Sequence, residues 1–172
     1  MPNSQTDNAM TETRQLLCNA CLDLLSGQQT VFLATTSSEG VPEASYAPYL
    51  FRRGDFYLFV SLLARHTRNL TDTGRASLLF VEEASQAHQP FARRRLSFQC
   101  RAEPVAKDSE AYAVTLSRFH RRFGGIIKTL AGLDDFRLFR LHPHRCRYVQ
   151  GFGRAYDFDR QQLQVLEHLQ GI

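Results

Sequence analysis

Apolar and polar positions through most of the chain follow the spacing of short β-strands. Runs of apolar or alternating residues are bounded by turn sequences, such as Ser-Ser-Glu-Gly at 37–40 and Arg-Arg-Gly-Asp at 52–55. In the segment 93–102, the polar residues at 93, 95, 97, 99 and 101 share one face, and the apolar residues at 96, 98, 100 and 102 share the other. The predicted strands are 30–36, 42–51, 56–62, 75–82, 93–102, 136–141 and 145–149.

Three other segments have the spacing of amphipathic helices. Residues 11–26 form the first, which Gly27 can end, and residues 108–123 form the second, with Ser109 near its start. The third begins at Asp159. Because the strands do not alternate with long helices, we expect an antiparallel barrel decorated by helices, a mainly β (α+β) fold, and not a parallel sheet.

Composition limits the domain count. The chain has 172 residues, of which 43% are hydrophobic, so we expect one domain over residues 11–172. Residues 1–10 are polar, lack the basic start and apolar run of a signal peptide, and are expected to form a disordered lead-in. No apolar run is long enough to cross a bilayer, and we expect a cytoplasmic protein without a membrane partner.

The four cysteines are scattered along the chain and are expected to be reduced. Cys18 and Cys21 form a C-x-x-C, but no second pair follows it, and both positions belong to an amphipathic helix. That context favours a structural role for the pair over a zinc or redox site.

Positive charge is concentrated in one part of the chain. The net charge is +4, yet residues 91–128 hold nine Lys and Arg against Glu103, Asp108 and Glu110. A local basic field suits an anionic ligand, and charge alone leaves nucleic acid, a membrane surface and a small phosphate or carboxylate compound open. Nucleic acid ranks last because no exposed aromatic residues interleave the arginines and no nucleic-acid-binding motif accompanies them.

The strand at 56–62 runs directly into a basic helical turn, Arg65-His-Thr-Arg68. A helix start offers unpaired backbone N–H groups and a positive dipole end, and Arg65, His66 and Thr67 add further donors. The turn is therefore a candidate anion site. A solvated turn after a buried strand explains the same residues equally well, since no Gly-rich phosphate loop is present.

Several motifs together resemble one family. They are Ala34-Thr-Thr36, Ser45-Tyr-Ala-Pro48, Ser61-Leu-Leu-Ala-Arg-His-Thr-Arg-Asn-Leu70, Phe91-Ala-Arg-Arg-Arg-Leu-Ser97, Arg121-Arg-Phe-Gly124, Leu133-Asp-Asp-Phe136, Leu138-Phe-Arg-Leu141 and Gly151-Phe-Gly-Arg-Ala-Tyr156. The set is similar to the HugZ/HutZ-type haem-utilisation proteins, a branch of the pyridoxamine 5'-phosphate oxidase-like FMN-binding split-barrel superfamily. The resemblance implies a homodimeric, six-stranded antiparallel split barrel with ligand sites at the subunit interface.

The resemblance implies FMN or haem as the ligand, and both are flat aromatic systems that carry anions. For FMN, it implies that Arg65, Thr67 and Asn69 contact the phosphate and that the strand at 45–48 lies near the isoalloxazine. An Arg-Lys pair holds the phosphate in the flavin branch, and here His66 replaces the Lys. A largely neutral imidazole at that position weakens the flavin interpretation.

For haem, the resemblance implies an axial His in the C-terminal tail, an acidic residue near it that matches Asp135, and propionate anchors that include Arg65 and Arg95. The Gly-His expected near the C-terminus is absent, so His168 is the candidate iron ligand, although it can equally be an ordinary helix residue. His66 and His120 are weaker substitutes. The remaining expected ligand contacts are Ser61 and Tyr46.

Three functions therefore stay open. The leading one is a haem-utilisation protein that binds haem and opens it oxidatively with dioxygen and an external electron donor, or stores and delivers it if no competent ligand exists. The second is an FMN-binding oxidoreductase. The third is a structural barrel that binds nothing tightly and whose arginines are solvated.

Overall fold

Six antiparallel strands close into a barrel in the structure, a computed structural model that describes residues 4–158, with side chains from residue 15. The strand order is β3-β2-β1-β4-β5-β6-β7, and an additional pairing of β3 with β6 closes the ring. The elements are α1 Ser4–Ser26, β1 Thr30–Thr36, β2 Pro42–Arg52, β3 Asp55–Ser61, α2 Arg65–Thr73, β4 Arg75–Val81, a 3₁₀ turn Pro90–Ala92, β5 Arg95–Pro104, α3 Glu110–Phe123, α4 Ile126–Ala131, β6 Phe136–Gly151 and β7 Arg154–Phe158. The expected six-stranded antiparallel split barrel is confirmed, and β7 extends the sheet beyond it.

The barrel interior is filled by aromatic side chains from alternate strand positions. Phe56 lies 4.8 Å from Phe98 between ring centroids, and Tyr49 lies 5.0 Å from Phe80 in an edge-on contact. The Tyr49 hydroxyl donates to the Leu25 carbonyl at the end of α1, which gives this buried phenol a partner. The interior of the barrel and one side of α1 therefore form one hydrophobic core.

Helices α3 and α4 cover a second, smaller core on the outside of the barrel. Phe119 of α3 and Ile127 of α4 are buried against Leu50, Phe59 and Leu138 of the strands. As the sequence predicts, α3 begins at Ser109, whose hydroxyl oxygen accepts a hydrogen bond from the Tyr112 amide at 3.2 Å.

The cysteines lie in the main core. Cys18, Cys21, Cys100 and Cys146 are all buried. Burial raises the pKa of Cys21 to about 12, and it also raises the pKa values of Cys100 and Cys146. Thiols held in this protonated form are poor metal ligands and poor nucleophiles, which agrees with a structural role for the C-x-x-C.

None of the helices in the described part of the chain has both the length and the apolar character needed to cross a membrane.

The structure corrects the prediction of two strands at 136–141 and 145–149, because β6 is continuous from Phe136 to Gly151. Cys100 pairs with Pro143 and Gln99 pairs with Arg145, which leaves His144 as the extra residue of a β-bulge. A proline is tolerated at a bulge because the ladder does not need its missing N–H. The His-Pro-His sequence therefore bends the strand and does not end it.

Three further boundaries differ from the sequence analysis. Helix α1 begins at Ser4, within the segment expected as a disordered lead-in, and not at residue 11. Helix α4 and strand β7 were not predicted, since each is short and α4 follows two glycines that resemble a helix end. The helix expected from Asp159 lies outside the described residues.

A buried carboxylate links the strands that close the barrel. Asp55 at the start of β3 accepts hydrogen bonds on Oδ2 from Arg140 Nε at 2.8 Å and Nη2 at 2.6 Å. Its Oδ1 lies 2.9 Å from His142 Nδ1, and His142 Nε2 lies 2.8 Å from Glu103 of β5. The network therefore joins β3, β6 and β5 at the closure of the barrel.

Replacing Asp55 with Ala should lower the free energy of unfolding by about 2–3 kcal/mol, since the charged hydrogen bonds of a buried carboxylate are lost and Arg140 keeps only its 4.0 Å contact with Glu103. Urea denaturation followed by circular dichroism measures the change. Asp157→Ala is the matched control because Asp157 pairs with Arg147 at 3.2 Å on the surface, where both side chains are exposed. Equal losses in the two variants would show that the Asp55 network does not stabilise the barrel closure.

Candidate functional site

The turn between β3 and α2 is organised by Ser61. Its carbonyl accepts hydrogen bonds from the Ala64 amide at 3.1 Å and from the Thr67 hydroxyl at 2.6 Å. Its side-chain oxygen accepts the Leu63 amide at 3.1 Å. Three hydrogen bonds to one residue hold the start of α2 in a defined position at the end of β3.

Asp135 joins this turn from the residue preceding β6. Its carboxylate accepts the Ser61 hydroxyl, and its carbonyl accepts the Leu62 amide at 2.8 Å. Asp135 is half-buried, so a carboxylate lies beside the first residues of α2. The resemblance predicted a functional Asp135, and the structure places it next to the basic turn.

His66 is held at the start of α2 by a hydrogen bond to β2. Its Nδ1 lies 3.0 Å from Ser45 Oγ, and the Leu33 carbonyl lies 3.3 Å from the same hydroxyl oxygen. Ser45 Oγ can accept a proton from Nδ1 while its own hydroxyl donates to Leu33, and in that arrangement Nε2 keeps a lone pair. Burial lowers the pKa of His66 from its ordinary value of 6.5, and nearby Glu43 opposes that shift. A neutral imidazole with an unprotonated Nε2 is the form that binds a metal.

Thr67 and Asn69, which are expected to contact a phosphate, are buried in the single chain. The Thr67 hydroxyl donates to the Ser61 carbonyl, and Asn69 Nδ2 donates to Thr35 Oγ1 on β1 at 2.9 Å. Both side chains therefore attach α2 to the barrel, and their contact with a phosphate stays a prediction.

Arg65 projects into solvent at the first position of α2. Its side chain is 81% exposed, and Nη1 lies 3.7 Å from Glu43 Oε2. An ion pair this exposed is weak, so the guanidinium can turn toward an external anion. Arg68 is also exposed, one turn further along the helix.

Tyr46 and Arg95 lie away from this turn. Tyr46 is 67% exposed on the outer side of β2, opposite Phe32 of β1. Arg95 begins β5, whereas Ala102 near the other end of β5 donates its amide to Gly74 at the end of α2. Within one chain, Arg95 and the basic turn are therefore at opposite ends of the sheet.

The histidines named as substitute iron ligands lie in different parts of the structure. His120 lies near the C-terminus of α3, and its Nδ1 is 2.9 Å from the Gly124 carbonyl, a helix-capping position. His168 lies outside the described residues. Among the candidates in the described part of the chain, only His66 lies at the basic turn.

Arg95 lines a cavity of about 410 Å³ that the sequence analysis did not identify as a site. Arg147 and Arg154 line the same cavity, as do Phe91 and Phe152, which are 82% and 67% exposed. Two features of the sequence could have indicated this cavity. They are Arg147, at an outward position of β6, and the Gly-Phe-Gly sequence of the β6–β7 hairpin. Only the folded chain brings these residues beside Arg95.

Comparison with known proteins gives one family. The pyridoxamine 5'-phosphate oxidase family matches residues 18–150. The chain is 38% identical to heme oxygenase HutZ of Vibrio cholerae over 143 residues, which are 83% of this chain and 81% of HutZ.

Solved structures agree with the sequence match. The crystal structure of HutZ from Vibrio cholerae, described as a heme storage protein, has a TM-score of 0.70 at 37% identity and covers 73% of this chain and 88% of HutZ. Campylobacter jejuni ChuZ has a TM-score of 0.72 at 25% identity over 94% of this chain and 62% of ChuZ. A heme binding protein from Mycobacterium smegmatis has a TM-score of 0.73 at 27% identity over 83% of this chain and 57% of that protein. The chain therefore belongs to the pyridoxamine 5'-phosphate oxidase-like split-barrel family, in the branch that contains HutZ.

Proposed function

We propose that the chain is a haem-utilisation protein that binds haem at the interface of a homodimer. The relatives named as haem proteins motivate the proposal. The observation that carries it is His66, which is held through Nδ1 by Ser45 and directly follows the exposed Arg65 in α2. An imidazole beside a guanidinium suits an iron atom and a propionate of the same ligand.

FMN fits the same turn less well. Of the three expected phosphate contacts, Thr67 and Asn69 are buried and have their donors engaged, and only Arg65 is accessible. His66 supplies no fixed charge, and Glu43 and Asp135 add negative charge near the helix start. A phosphate dianion would therefore meet fewer donors and more repulsion here than a phosphate site usually provides.

The outer face of the sheet supports the proposed homodimer. Phe32 and Tyr46 are opposite each other on β1 and β2, and Leu79 on β4 extends the row. Phe32 is 57% exposed and Tyr46 is 67% exposed, so two aromatic rings form an apolar patch in the single chain. A second copy related by a two-fold axis would cover this patch. An antiparallel arrangement would bring the Arg95 cavity of one protomer toward the basic turn of its partner.

The residues of the chain would then divide the work. Haem supplies redox-active iron that can react with dioxygen when an external donor provides electrons. His66, oriented by Ser45, would coordinate the iron through Nε2, unless the predicted ligand His168 does so. Arg65 and Arg95 would hold propionates. Asp135, which accepts the Ser61 hydroxyl, would hold or transfer a proton at its carboxylate.

Storage and degradation of haem remain two versions of this proposal, and the names of the relatives include both. Incubation of the haem complex with ascorbate in air separates them. Degradation predicts a decay of the Soret band with release of iron to a ferrous chelator, and Asp135→Asn should slow that decay without preventing haem binding. A stable Soret band supports storage.

A cytoplasmic location remains a prediction from the sequence.

Haemin titration should give a saturable Soret shift with one haem per subunit. His66→Ala should weaken binding by roughly 10–100-fold if His66 coordinates the iron, and Arg95→Ala by roughly tenfold through loss of a charged hydrogen bond. His168→Ala tests the alternative ligand, and His120→Ala is the control because His120 caps α3.

Saturable uptake of FMN with only nonspecific haemin binding would assign the chain to the flavin branch. Binding of neither ligand would support the structural barrel.

Phe32→Asp should convert the dimer into a monomer, since a carboxylate in the centre of the apolar patch would be buried without a partner. Sedimentation velocity measures the change in mass. Ile126→Asp is the matched control. Ile126 is also an exposed apolar residue, at 54%, but it lies on α4, which covers the second core and is not part of the apolar patch on the sheet. A wild-type protein that sediments as a monomer, or an unchanged mass for Phe32→Asp, contradicts the proposed interface.

A further inference from the structure

We propose that a second pocket, on the outer face of the sheet between Arg75 and Arg101, binds a small phosphomonoester. The pocket has a volume of about 410 Å³, within the range of small-molecule sites. The lining of the pocket includes Arg75, Arg101, His144, Gln99, Ala34 and Pro42.

Two arginines lie side by side in the lining of this pocket without a counter-ion in the described part of the chain. Arg75 of β4 is the direct cross-strand partner of Arg101 of β5, and both are exposed on the outer face. Like charges in directly opposite positions destabilise a strand pair. No carboxylate lines the pocket, and neither guanidinium has an ion-pair partner within the described part of the chain. The pair therefore costs stability unless an anion lies between the two groups.

The β-bulge in β6 adds a third nitrogen donor to the same pocket. His144 is the extra residue between the Gln99–Arg145 and Cys100–Pro143 pairs. A bulge redirects a side chain relative to a regular strand, and His144 is exposed and lines the pocket. The side-chain amide of Gln99 lines it as well. Three neighbouring strands, β4, β5 and β6, therefore each contribute a residue with a side-chain nitrogen to the lining.

Charge and shape indicate the class of ligand. Two guanidinium groups match the charge of about −1.5 to −2 of a phosphomonoester near pH 7. Inorganic phosphate alone would fill a small part of the volume. Ala34 on β1 and Pro42 on β2 contribute apolar surface to the same lining, which suits a compact organic group attached to the phosphate.

This pocket is separate from the proposed haem site. Neither Arg65, His66 nor Arg95 lines it. It is also displaced from the apolar row at the proposed dimer interface, since Ala34 is two residues beyond Phe32 on the same face of β1. Phosphomonoester binding and haem binding can therefore succeed or fail independently.

Isothermal titration calorimetry with phenyl phosphate tests the proposal, with inorganic phosphate and benzoate as comparison probes. Phenyl phosphate should bind most tightly, and Arg101→Gln and Arg75→Gln should each weaken it by roughly tenfold or more, the loss of one charged hydrogen-bond donor. Arg145→Gln is the matched control, because Arg145 is exposed on the same face and does not line the pocket. Equal weakening by all three variants would show only a nonspecific basic surface and would overturn the proposal.

Thermal unfolding gives a second measurement that does not depend on calorimetry. Without ligand, Arg101→Gln should unfold at a higher temperature than the wild type, because the repulsion with Arg75 is relieved. Phenyl phosphate should raise the unfolding temperature of the wild type and leave that of the variant nearly unchanged. A dissociation constant weaker than about 10 mM for phenyl phosphate, or a ligand-free variant less stable than the wild type, would contradict the site.

Discussion

Closure of the sheet through the pairing of β3 with β6 is the constraint on which the rest of the structure depends. Strand β6 meets two partners, since residues 136–141 pair with β3 while residues 139–149 pair with β5. A closed sheet removes the free edges between these strands and gives each strand an inner and an outer side. The alternate apolar residues of each strand therefore point into an aromatic interior, and the polar or charged residues between them point outward.

The basic turn acquires its geometry from this closure. Helix α2 leads from the end of β3 to the start of β4, and Thr67 and Asn69 attach it to Ser61 and Thr35. Helical periodicity then exposes Arg68, which lies between the anchors, and Arg65, which precedes them. Residues that look like ligand contacts in the sequence are thus of two kinds, anchors that face the barrel and groups that face outward.

The outer face of the sheet combines features that a solitary domain would rarely keep. An apolar row at Phe32 and Tyr46 adjoins a region that holds Arg75, Arg101 and Arg145, which have no carboxylate partner within the described part of the chain. Each feature costs stability or solubility in an isolated chain. Both are accounted for if the face binds a second copy of the chain and anionic small molecules.

The sequence by itself determined most strand positions, α3 with its Ser109 cap, and the antiparallel barrel, because periodicity and turn residues act over short distances. Local patterns failed at Pro143, where a bulge that depends on the register with β5 lets the strand continue. Only the tertiary structure decided that Thr67 and Asn69 face inward, that His66 contacts Ser45, and that Arg95 lies far from Arg65. Those properties depend on contacts between residues distant in the chain, which periodicity does not encode.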